Sequence, residues 1–318
     1  MFWNQFPLLE KEMESFENYL REALASKEPL IEGAIRSLAQ AGGKRVRPAL
    51  VITTAHFGDY EQKKVWQIAA AVEIMHMATL IHDDIIDESK LRRGKETIHT
   101  QYGKDIAVFT GDYLFTLTFD ILSGTATNKQ LQKVAGIIKK ICEGEIRQQE
   151  ERRNISISYK DYFRRIKSKT ALLFEGSCAL GAGMADLSKL NIRRAAHYGR
   201  YLGMAFQLVD DVLDFSEDSQ TLGKPNNNDF TQGIYTLPIL YVYNETDYDN
   251  QLQELLKEPV ENNSKIKEIV NKAGGLDYTL DIAESYIKKA KDKINKLEDN
   301  AYQEILIALA DKVINRNF

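Results

Sequence analysis

The sequence is poor in several features that would place it in a particular class of protein. It has two cysteines, Cys142 and Cys178, which are too few for a disulfide framework and do not form a Cys-x-x-Cys pair. Its formal net charge of −4 lacks the basic excess of most nucleic-acid-binding proteins. Residues 1–17 contain no basic segment followed by an apolar core, and no apolar run reaches the roughly 18 residues that span a bilayer. These absences predict a cytoplasmic protein with no signal peptide, no transmembrane segment and no nucleic-acid partner.

Proline is scarce as well, and its distribution favours helices. The sequence has six prolines, and none lies between Pro48 and Pro225. That interval is rich in Ala, Leu, Ile, Glu and Lys, and it contains no alternating Val, Ile or Thr run that would predict a strand. Apolar residues at helical spacing predict helices over residues 61–87, 127–151, 158–184 and 191–215.

Linkers and short repeats are also absent. No segment rich in Pro, Gly or Ser divides the chain, and there is no repeat of the solenoid kind. Residues 216–232 are the least regular stretch, and they are long enough to form an active-site loop. We therefore predict one all-α domain that covers residues 1–318.

Two aspartate clusters share the spacing Asp-Asp-x-x-Asp, and each ends a predicted apolar helix. The first consists of Asp83, Asp84 and Asp87, and the second of Asp210, Asp211 and Asp214. Side chains four residues apart lie on one helix face, so the outer aspartates of each cluster project together. Because like charges at this spacing destabilise a helix by about 0.2–0.5 kcal/mol, a compensating cation is expected. Carboxylates are the usual protein ligands of Mg²⁺ beside substrate phosphates. A single cluster could be a solvated helix end, but two matched clusters favour a metal site.

A glycine pair with three cations precedes the helix that contains Pro48. Lys44, Arg45 and Arg47 follow Gly42-Gly43. Glycines let the backbone approach an anion closely, and a helix N-terminus favours negative charge. Taken alone, this segment is more often a solvated basic turn.

Further basic residues follow the aspartate clusters. Arg92 and Arg93 come one short turn after the first cluster, and Lys224 comes after the second. The pair Lys169-Thr170 lies in a helical stretch that contains other basic residues. The two arginines could form internal ion pairs with the aspartates, or they could lie at the rim of a metal site and hold a diphosphate.

A histidine and an aromatic segment have two interpretations each. His76 lies about two turns before Asp83 on the same helix and on roughly the same side, although a lone histidine there is more often a core residue. We interpret His82, His99 and His197 as core residues. The GDYLF segment at residues 111–115 could belong to the core or to a cavity wall.

These motifs, in this order and spacing, resemble those of the trans-prenyl diphosphate synthase (polyprenyl synthetase) family, particularly its medium- and long-chain members such as heptaprenyl diphosphate synthases. The matching segments are GGKRVRP from residue 42, HDDIIDESKLRRG from 82, GDYLF from 111, KT from 169, FQLVDDVLD from 206, LGKP from 222, TLP from 236 and the closing ALADKVINRNF. The resemblance covers nearly the whole chain. It implies the isoprenoid synthase fold, a bundle of long antiparallel helices around a deep central cavity, in a magnesium-dependent prenyltransferase that is usually dimeric.

The resemblance also assigns roles to individual residues. It implies three Mg²⁺ ions per active site, held by Asp83, Asp87, Asp210 and Asp214. Asp84 and Asp211 complete the clusters and, with Lys169 and Gln207, count among the catalytic residues. The residues implied to hold the allylic substrate are Arg92, Lys169, Thr170, Gln207 and Lys224. Those implied to hold isopentenyl diphosphate are Lys44, Arg47, His76 and Arg93.

The sequence departs from the family pattern at two positions. Many members have a lysine where this chain has Ile234 and a glycine where it has Asn227. The diphosphate contact of this loop would then depend on Lys224 alone, which affects substrate affinity and not the class of reaction.

Product length is predicted from the helix before Asp83. Short-chain members have a bulky aromatic residue four or five positions before that aspartate, where this chain has the small residues Thr79 and Ala78. This predicts a medium or long product, hexaprenyl to octaprenyl, for a quinone side chain. Met75 is a candidate deeper wall. The alternative is a short-chain farnesyl or geranylgeranyl diphosphate synthase.

More distant alternatives are a class I terpene cyclase and a non-catalytic helical subunit. A cyclase normally replaces the second cluster with an Asn/Ser/Glu triad, and a regulatory subunit would be expected to lose one cluster. Neither fits the two intact clusters. The expected partners are isopentenyl diphosphate and an allylic diphosphate, in a homodimer or in a heteromer with a small regulatory subunit.

Overall fold

The structure is a computed structural model that describes residues 2–40, 42–215 and 228–315. It is 77% helical with almost no strands, which confirms the all-α prediction. In chain order the helices are α1 (Pro7–Ala23), α2 (Pro29–Gln40), α3 (Val46–Ala55), α4 (Gln62–Ile86), α5 (Ile98–Tyr102), α6 (Lys104–Ser123), α7 (Asn128–Glu150), α8 (Tyr159–Ile166), α9 (Leu172–Met184), α10 (Lys189–Leu213), α11 (Leu237–Glu245), α12 (Asp249–Leu255), α13 (Asn263–Lys272), α14 (Gly275–Ile294) and α15 (Ala301–Ile314). Short 3₁₀ helices cover Phe2–Gln5 and Asp229–Gln232.

The chain forms two compact units. The first comprises Met1–Ala135, Gly176–Ala196 and Asn295–Ile307, and the second comprises Gly136–Glu175, His197–Ile294 and Ala308–Phe318. The first aspartate cluster belongs to the first unit and the second cluster to the second unit.

The four helices predicted from apolar spacing are present, with one interruption. The predictions over 61–87, 127–151 and 191–215 correspond to α4, α7 and α10 within two residues at each end. The prediction over 158–184 corresponds to α8 and α9 with a π-helix, Lys167–Ala171, between them. A π-helix is rare and often occurs at functional sites. Apolar spacing could not reveal it because a segment of 5 residues is too short to show a period different from that of an α-helix.

The core of the first unit lies around α4. This helix packs against α3 and α6. Val65, Ile68, Val72 and Met75 lie on it at intervals of three and four residues, and all four are buried. Burial of such a face supplies most of the stability of a helix in a protein.

A two-residue β-hairpin follows α4, and the sequence did not predict it. Strand β1 (Leu91–Arg92) pairs antiparallel with β2 (Lys95–Glu96), with Leu91 opposite Glu96. The two residues between the strands, Arg93 and Gly94, have φ angles of 53° and 74°. Positive φ at both central positions is typical of the tight type I′ turn. The turn therefore fixes Arg93 at the tip of the hairpin.

Close packing of α3 against α9 depends on a glycine. A Cβ atom at Gly181 would lie 2.1 Å from the carbonyl oxygen of Val51 and 2.4 Å from Oγ1 of Thr54. Both neighbours are buried on α3. Only glycine fits this contact without a shift of backbone.

Gly181→Ala is therefore expected to destabilise the protein. Overpacking against backbone costs about 1–3 kcal/mol, enough to lower the melting temperature by several degrees in thermal unfolding monitored by circular dichroism. Gly183→Ala on the same helix is the matched control. Its Cβ would meet its nearest neighbour, Nε2 of Gln130, at 3.6 Å, so this change should keep or raise the melting temperature. Equal melting temperatures for the two variants would contradict the prediction.

Two helices, α4 and α6, are long and apolar enough to cross a membrane by length and composition alone. The apolar stretch of α4 is 67% buried inside the fold and that of α6 is 33% buried. The core helices of soluble proteins pass the same test, so this finding does not identify a membrane protein.

Candidate active site

The first aspartate cluster lies at the C-terminal end of α4. Asp83 is in the last turn, and Asp87 is the residue that caps the helix, where its backbone N–H donates to the carbonyl oxygen of Asp83 at 2.8 Å. Both side chains are half-buried. The first cluster therefore lies where α4 ends, as the sequence predicted.

Asp84, the middle aspartate, has a different environment. Its side chain is buried and forms an ion pair with Arg92 on β1. Nε and Nη2 of Arg92 donate to both carboxylate oxygens at 2.8–3.0 Å. The internal ion pair that the sequence left open is therefore present for Arg92. This bidentate pair ties the hairpin to the end of α4.

The glycine-rich segment before α3 separates its three cations. Arg45 has a φ of 45° and is buried, where it forms ion pairs with Glu17 on α1 and Glu73 on α4. Its N–O distances are 2.7 Å to Glu17 and 3.0 Å to Glu73. Lys44 is exposed and Arg47 is half-buried. These ion pairs give Arg45 a structural role.

The same segment lies beside the hairpin tip. A Cβ atom at Gly43 would lie 2.8 Å from Nη1 of Arg45 and 3.4 Å from Nη1 of Arg93. Residues 43 and 93 are far apart in the sequence, so tertiary folding of the first unit brings these two basic motifs together.

Positive charge accumulates around His76. Burial of its ring lowers the pKa of His76 well below its ordinary value, and the charges of Arg47, Arg92 and Arg93 lower it further. The pKa of Arg93 is lowered in turn by partial desolvation and by the charge of Arg92. Four of the residues that the resemblance assigns to substrate diphosphates thus lie near one another in the first unit. A concentration of cations next to a neutral histidine favours the binding of an anion.

The GDYLF segment lies on α6 and packs against α4. A Cβ atom at Gly111 would lie 2.3 Å from Nε2 of His82. The His82 ring contacts the ring of Phe115, and its Nε2 lies 3.5 Å from Oδ1 of Asp112. The glycine thus makes room for the histidine that immediately precedes Asp83.

The second aspartate cluster ends α10. The backbone N–H of Asp214 donates to the carbonyl oxygen of Asp210 at 3.1 Å. The Asp214 carboxylate accepts a hydrogen bond from the N–H of Asp229 at 2.9 Å, and its carbonyl accepts one from the Asn228 side chain at 2.6 Å. Residues 228–229 therefore hold Asp214 in place after the helix has ended.

A hydrogen-bonded chain of side chains surrounds Asp211 in the second unit. The hydroxyl of Tyr162 donates to Oδ2 of Asp211 at 2.5 Å, and Nε2 of Gln207 donates to Oδ1 at 2.9 Å. The Thr170 hydroxyl donates to Oε1 of Gln207 at 2.5 Å. Burial raises the pKa of Asp211 to about 7. Sequence reasoning identified Thr170, Gln207 and Asp211 but missed Tyr162, for which the sequence gives no signal.

Lys169 and Thr170 both lie in the π-helix. Lys169 is half-buried, and its Nζ lies 3.6 Å from Oε2 of Glu145 on α7. A Cβ atom at Gly144 would lie 2.7 Å from that of Ser168, so α7 and the π-helix are in close contact. This contact positions the lysine beside the threonine that hydrogen-bonds Gln207.

The three residues predicted to set product length differ in burial. Ala78 and Met75 are fully buried on α4, and Thr79 is half-buried with its hydroxyl donating to the carbonyl of His76 at 2.8 Å. Of these residues, Thr79 is the one with substantial exposed surface.

A sequence model of the polyprenyl synthetase family matches residues 28–273. The chain belongs to this family. It is similar to heptaprenyl diphosphate synthase component 2 of Bacillus subtilis (strain 168), with 36% identity over 315 residues that cover 98% of this chain and 90% of that protein. Octaprenyl diphosphate synthase of Haemophilus influenzae is 34% identical over 317 residues, which cover 98% of this chain and 96% of that one. The crystal structure of heptaprenyl diphosphate synthase from Staphylococcus aureus has a TM-score of 0.92 at 34% identity and covers 98% of this chain and 99% of that chain.

These similarities confirm three of the sequence predictions. This polyprenyl synthetase has the isoprenoid synthase fold, and it is a prenyltransferase. Its similarity to heptaprenyl and octaprenyl diphosphate synthases supports the interpretation as a medium- or long-chain enzyme. The roles of individual residues stay predictions.

Polyprenyl synthetases generally depend on Mg²⁺, and the donor chemistry of this chain fits that ion. Within the described ranges, no three His, Cys, Asp or Glu side chains form a ready-made metal cluster. The outer aspartates at each helix end nevertheless supply the carboxylate oxygens that Mg²⁺ prefers, and this ion commonly takes its remaining ligands from water and substrate phosphate.

Of the two positions at which this chain departs from the polyprenyl synthetase pattern, one, Ile234, belongs to the described residues. Ile234 is buried, and its N–H donates to the carbonyl of Asp229 at 2.9 Å. An apolar side chain at this buried position needs no charged partner. Asn227 and the predicted diphosphate contact Lys224 lie outside the described residues.

Proposed function

We propose that this polyprenyl synthetase condenses isopentenyl diphosphate with an allylic prenyl diphosphate to make an all-trans polyprenyl diphosphate of hexaprenyl to octaprenyl length, for a quinone side chain. The observation that carries the proposal is the group of Arg47, Arg92 and Arg93 around His76, on the helix that ends in the first aspartate cluster. Carboxylates at the end of this helix and cations from α3 and the hairpin around its histidine suit a substrate whose reacting end is a diphosphate.

We propose that Asp83, Asp87, Asp210 and Asp214 bind the magnesium, with three ions per active site. When bound, Mg²⁺ neutralises negative charge on a diphosphate. The use of aspartates from both units requires that residues 1–318 act as one catalytic domain. The family match supports this because residues 28–273 include parts of both units.

The chain's own residues have distinct proposed roles toward the two substrates. Arg92, Lys169 and Lys224 stabilise the charge that develops on the leaving diphosphate as the allylic carbon–oxygen bond breaks. Thr170 and Gln207 direct oxygen atoms toward the resulting allylic cation. Isopentenyl diphosphate is held by Lys44, Arg47, His76 and Arg93, so that its double bond attacks the cation. A proton is then lost to the departing pyrophosphate.

His76 suits this role in its neutral form. Because its folded pKa is depressed, the ring stays uncharged near neutral pH and donates one N–H to a diphosphate oxygen while the arginines supply the charge.

We also propose that the enzyme is cytoplasmic and assembles as a homodimer or with a smaller regulatory subunit. The Bacillus subtilis relative is named component 2 of its enzyme, which implies that this enzyme has a further component. Incubation with and without candidate partner fractions would reveal whether this chain requires one.

Product analysis tests the proposed function. The purified chain is incubated with farnesyl diphosphate, radiolabelled isopentenyl diphosphate and Mg²⁺, and the dephosphorylated products are separated by chromatography. We expect products of six to eight isoprene units. Mainly farnesyl or geranylgeranyl products would support the short-chain alternative. The geranylgeranyl diphosphate synthases among the relatives are less similar to this chain than the heptaprenyl and octaprenyl enzymes. No elongation with any allylic primer, with or without a partner, would overturn the proposal.

Substitutions in the glycine-rich segment should separate the two diphosphate sites. Lys44→Ala and Arg47→Ala are expected to raise the KM for isopentenyl diphosphate, because loss of a charged hydrogen bond costs roughly 1.5–3 kcal/mol, about ten- to over a hundredfold. The KM for the allylic substrate should change little. Steady-state kinetics with each substrate varied in turn would measure both constants.

Two further variants complete that experiment. Lys63→Ala, at an exposed position near the start of α4, should leave both KM values unchanged. Lys224→Ala should raise mainly the KM for the allylic substrate. The assignment of the two sites would be wrong if the Lys44 and Lys224 variants both raised the KM for the same substrate and left the KM for the other substrate unchanged.

A further inference from the structure

Tyr162 on α8 is fully buried and lies at one end of the hydrogen-bonded chain that includes Gln207. Its hydroxyl and the Gln207 amide occupy the two different oxygens of Asp211. Gln207 and Asp211 are four residues apart on α10, so they share one helix face. The chain thus runs from Tyr162 through Asp211 and Gln207 to Thr170.

The hydrogen bonds among these four side chains determine which end of the Gln207 amide faces which partner. Nε2 donates to Asp211, and Oε1 accepts from Thr170. The ionised form of Asp211, which the hydrogen bonds from Gln207 and Tyr162 favour, only accepts hydrogen bonds, whereas an amide presents an acceptor at one end and a donor at the other. If the amide rotated by 180°, its oxygen would face the carboxylate and its NH₂ group would face Thr170. An NH₂ group carries partial positive charge and would repel an allylic cation.

Several contacts hold Tyr162 itself. The guanidinium of Arg165 lies 5.5 Å from the centre of the Tyr162 ring, and Phe163 packs edge-on at 5.3 Å. Arg165 is buried, donates to the carbonyl of Tyr235 and lies 3.6 Å from Glu151. The phenol can therefore hold Asp211 in one orientation.

We propose that Tyr162 is a positioning residue that acts through Asp211 to keep the oxygen of the Gln207 amide directed toward Thr170 and the allylic substrate. The catalytic consequence rests on the proposed function, in which Gln207 faces the allylic cation. The positional consequence, a fixed amide, holds whatever the substrate.

Kinetics test the catalytic consequence in two backgrounds. Tyr162→Phe removes the hydroxyl and keeps the ring, and it should lower kcat about tenfold with the KM for isopentenyl diphosphate unchanged. In a Gln207→Ala background, adding Tyr162→Phe should lower kcat by less than a further factor of about two, because the amide that Tyr162 positions is already absent. A tenfold loss in both backgrounds, or no loss in the first, would overturn the proposal.

A control variant and a spectroscopic measurement distinguish the positioning role from a folding defect and from the proposed prenyltransferase activity. Tyr201 lies on α10, the helix of Gln207, and its ring contacts those of His197 and Tyr286. Tyr201→Phe removes its hydroxyl and should leave kcat unchanged. The side-chain amide signal of Gln207, assigned by its loss in Gln207→Ala, should shift or broaden in NMR spectra of Tyr162→Phe but not of Tyr201→Phe. An unchanged Gln207 signal in Tyr162→Phe would refute the positioning role, whether or not the wild-type protein is an active prenyltransferase. A shifted signal in a protein that proved inactive as a prenyltransferase would refute only the proposed function.

Discussion

Asp83→Ala and Asp210→Ala are each expected to lower turnover by about two to three orders of magnitude, which is what the loss of one preorganised electrostatic group costs in an active site. Each residue is an outer member of its cluster, next to the end of a helix and only half-buried. Its removal therefore leaves the apolar core intact, and the melting temperature should stay close to that of the unmodified chain. Turnover is measured with saturating substrates, and folding is checked by circular dichroism.

The control for these variants is Asp120→Ala, at an exposed position on α6, which should keep full activity. Chelation provides the second part of the experiment. EDTA should abolish product formation and added Mg²⁺ should restore it. Substantial turnover in EDTA, or full activity of either cluster variant, would contradict the metal assignment.

Ala78→Phe is expected to shorten the product to the farnesyl to geranylgeranyl range. One helical turn rises about 5.4 Å, which roughly equals the length of one isoprene unit. A ring a little over one turn before Asp83 would therefore stop a tail that grows along α4 after few additions. Ala78 is fully buried, so the larger side chain should also cost about 1–3 kcal/mol of stability. Chromatography of the dephosphorylated products measures chain length, and thermal unfolding measures the cost.

Thr79→Phe is the informative companion of that variant. Thr79 is half-buried, so a ring there should shorten the product with a smaller loss of stability. Ala34→Phe, at a buried alanine on α2, should lower stability without changing the product. An unchanged chain length in folded, active forms of both α4 variants would show that the tail does not run along this helix.

Truncation at the proposed deeper wall is the converse change. Met75→Ala should leave the product unchanged or lengthen it. Because Met75 is fully buried, the change should also lower stability by about 2–5 kcal/mol. Product chromatography and thermal unfolding are again the measurements, and a shorter product would contradict the role of Met75 as a wall.

The helices that carry both aspartate clusters could be predicted from the sequence because their signal is local. Apolar residues recur every three or four positions along α4 and α10, and the aspartates come where that pattern ends. Helical periodicity depends on neighbours within one or two turns. Family membership followed for a related reason, since it depends on the order and spacing of short motifs along the chain.

The roles of neighbouring charges could not be separated in the same way. Lys44, Arg45 and Arg47 look alike in the sequence, but Arg45 is directed inward because Glu17 and Glu73, each 28 residues away, accept its hydrogen bonds. Asp84 likewise differs from Asp83 only in the structure, through its ion pair with Arg92. Burial and partner choice depend on residues that are distant along the chain.

The sequence by itself determined the fold class, the helices, the paired aspartates and the family of this protein, because each of these is expressed in spacing along the chain. Only the tertiary structure decided that Arg93 lies beside Gly43, that three other predicted diphosphate contacts gather at His76, and that Tyr162 reaches Asp211 across 49 residues. Hydrogen bonds form at about 3 Å and screened Coulomb interactions act over about 10 Å, and spacing along a sequence does not report which distant residues come that close.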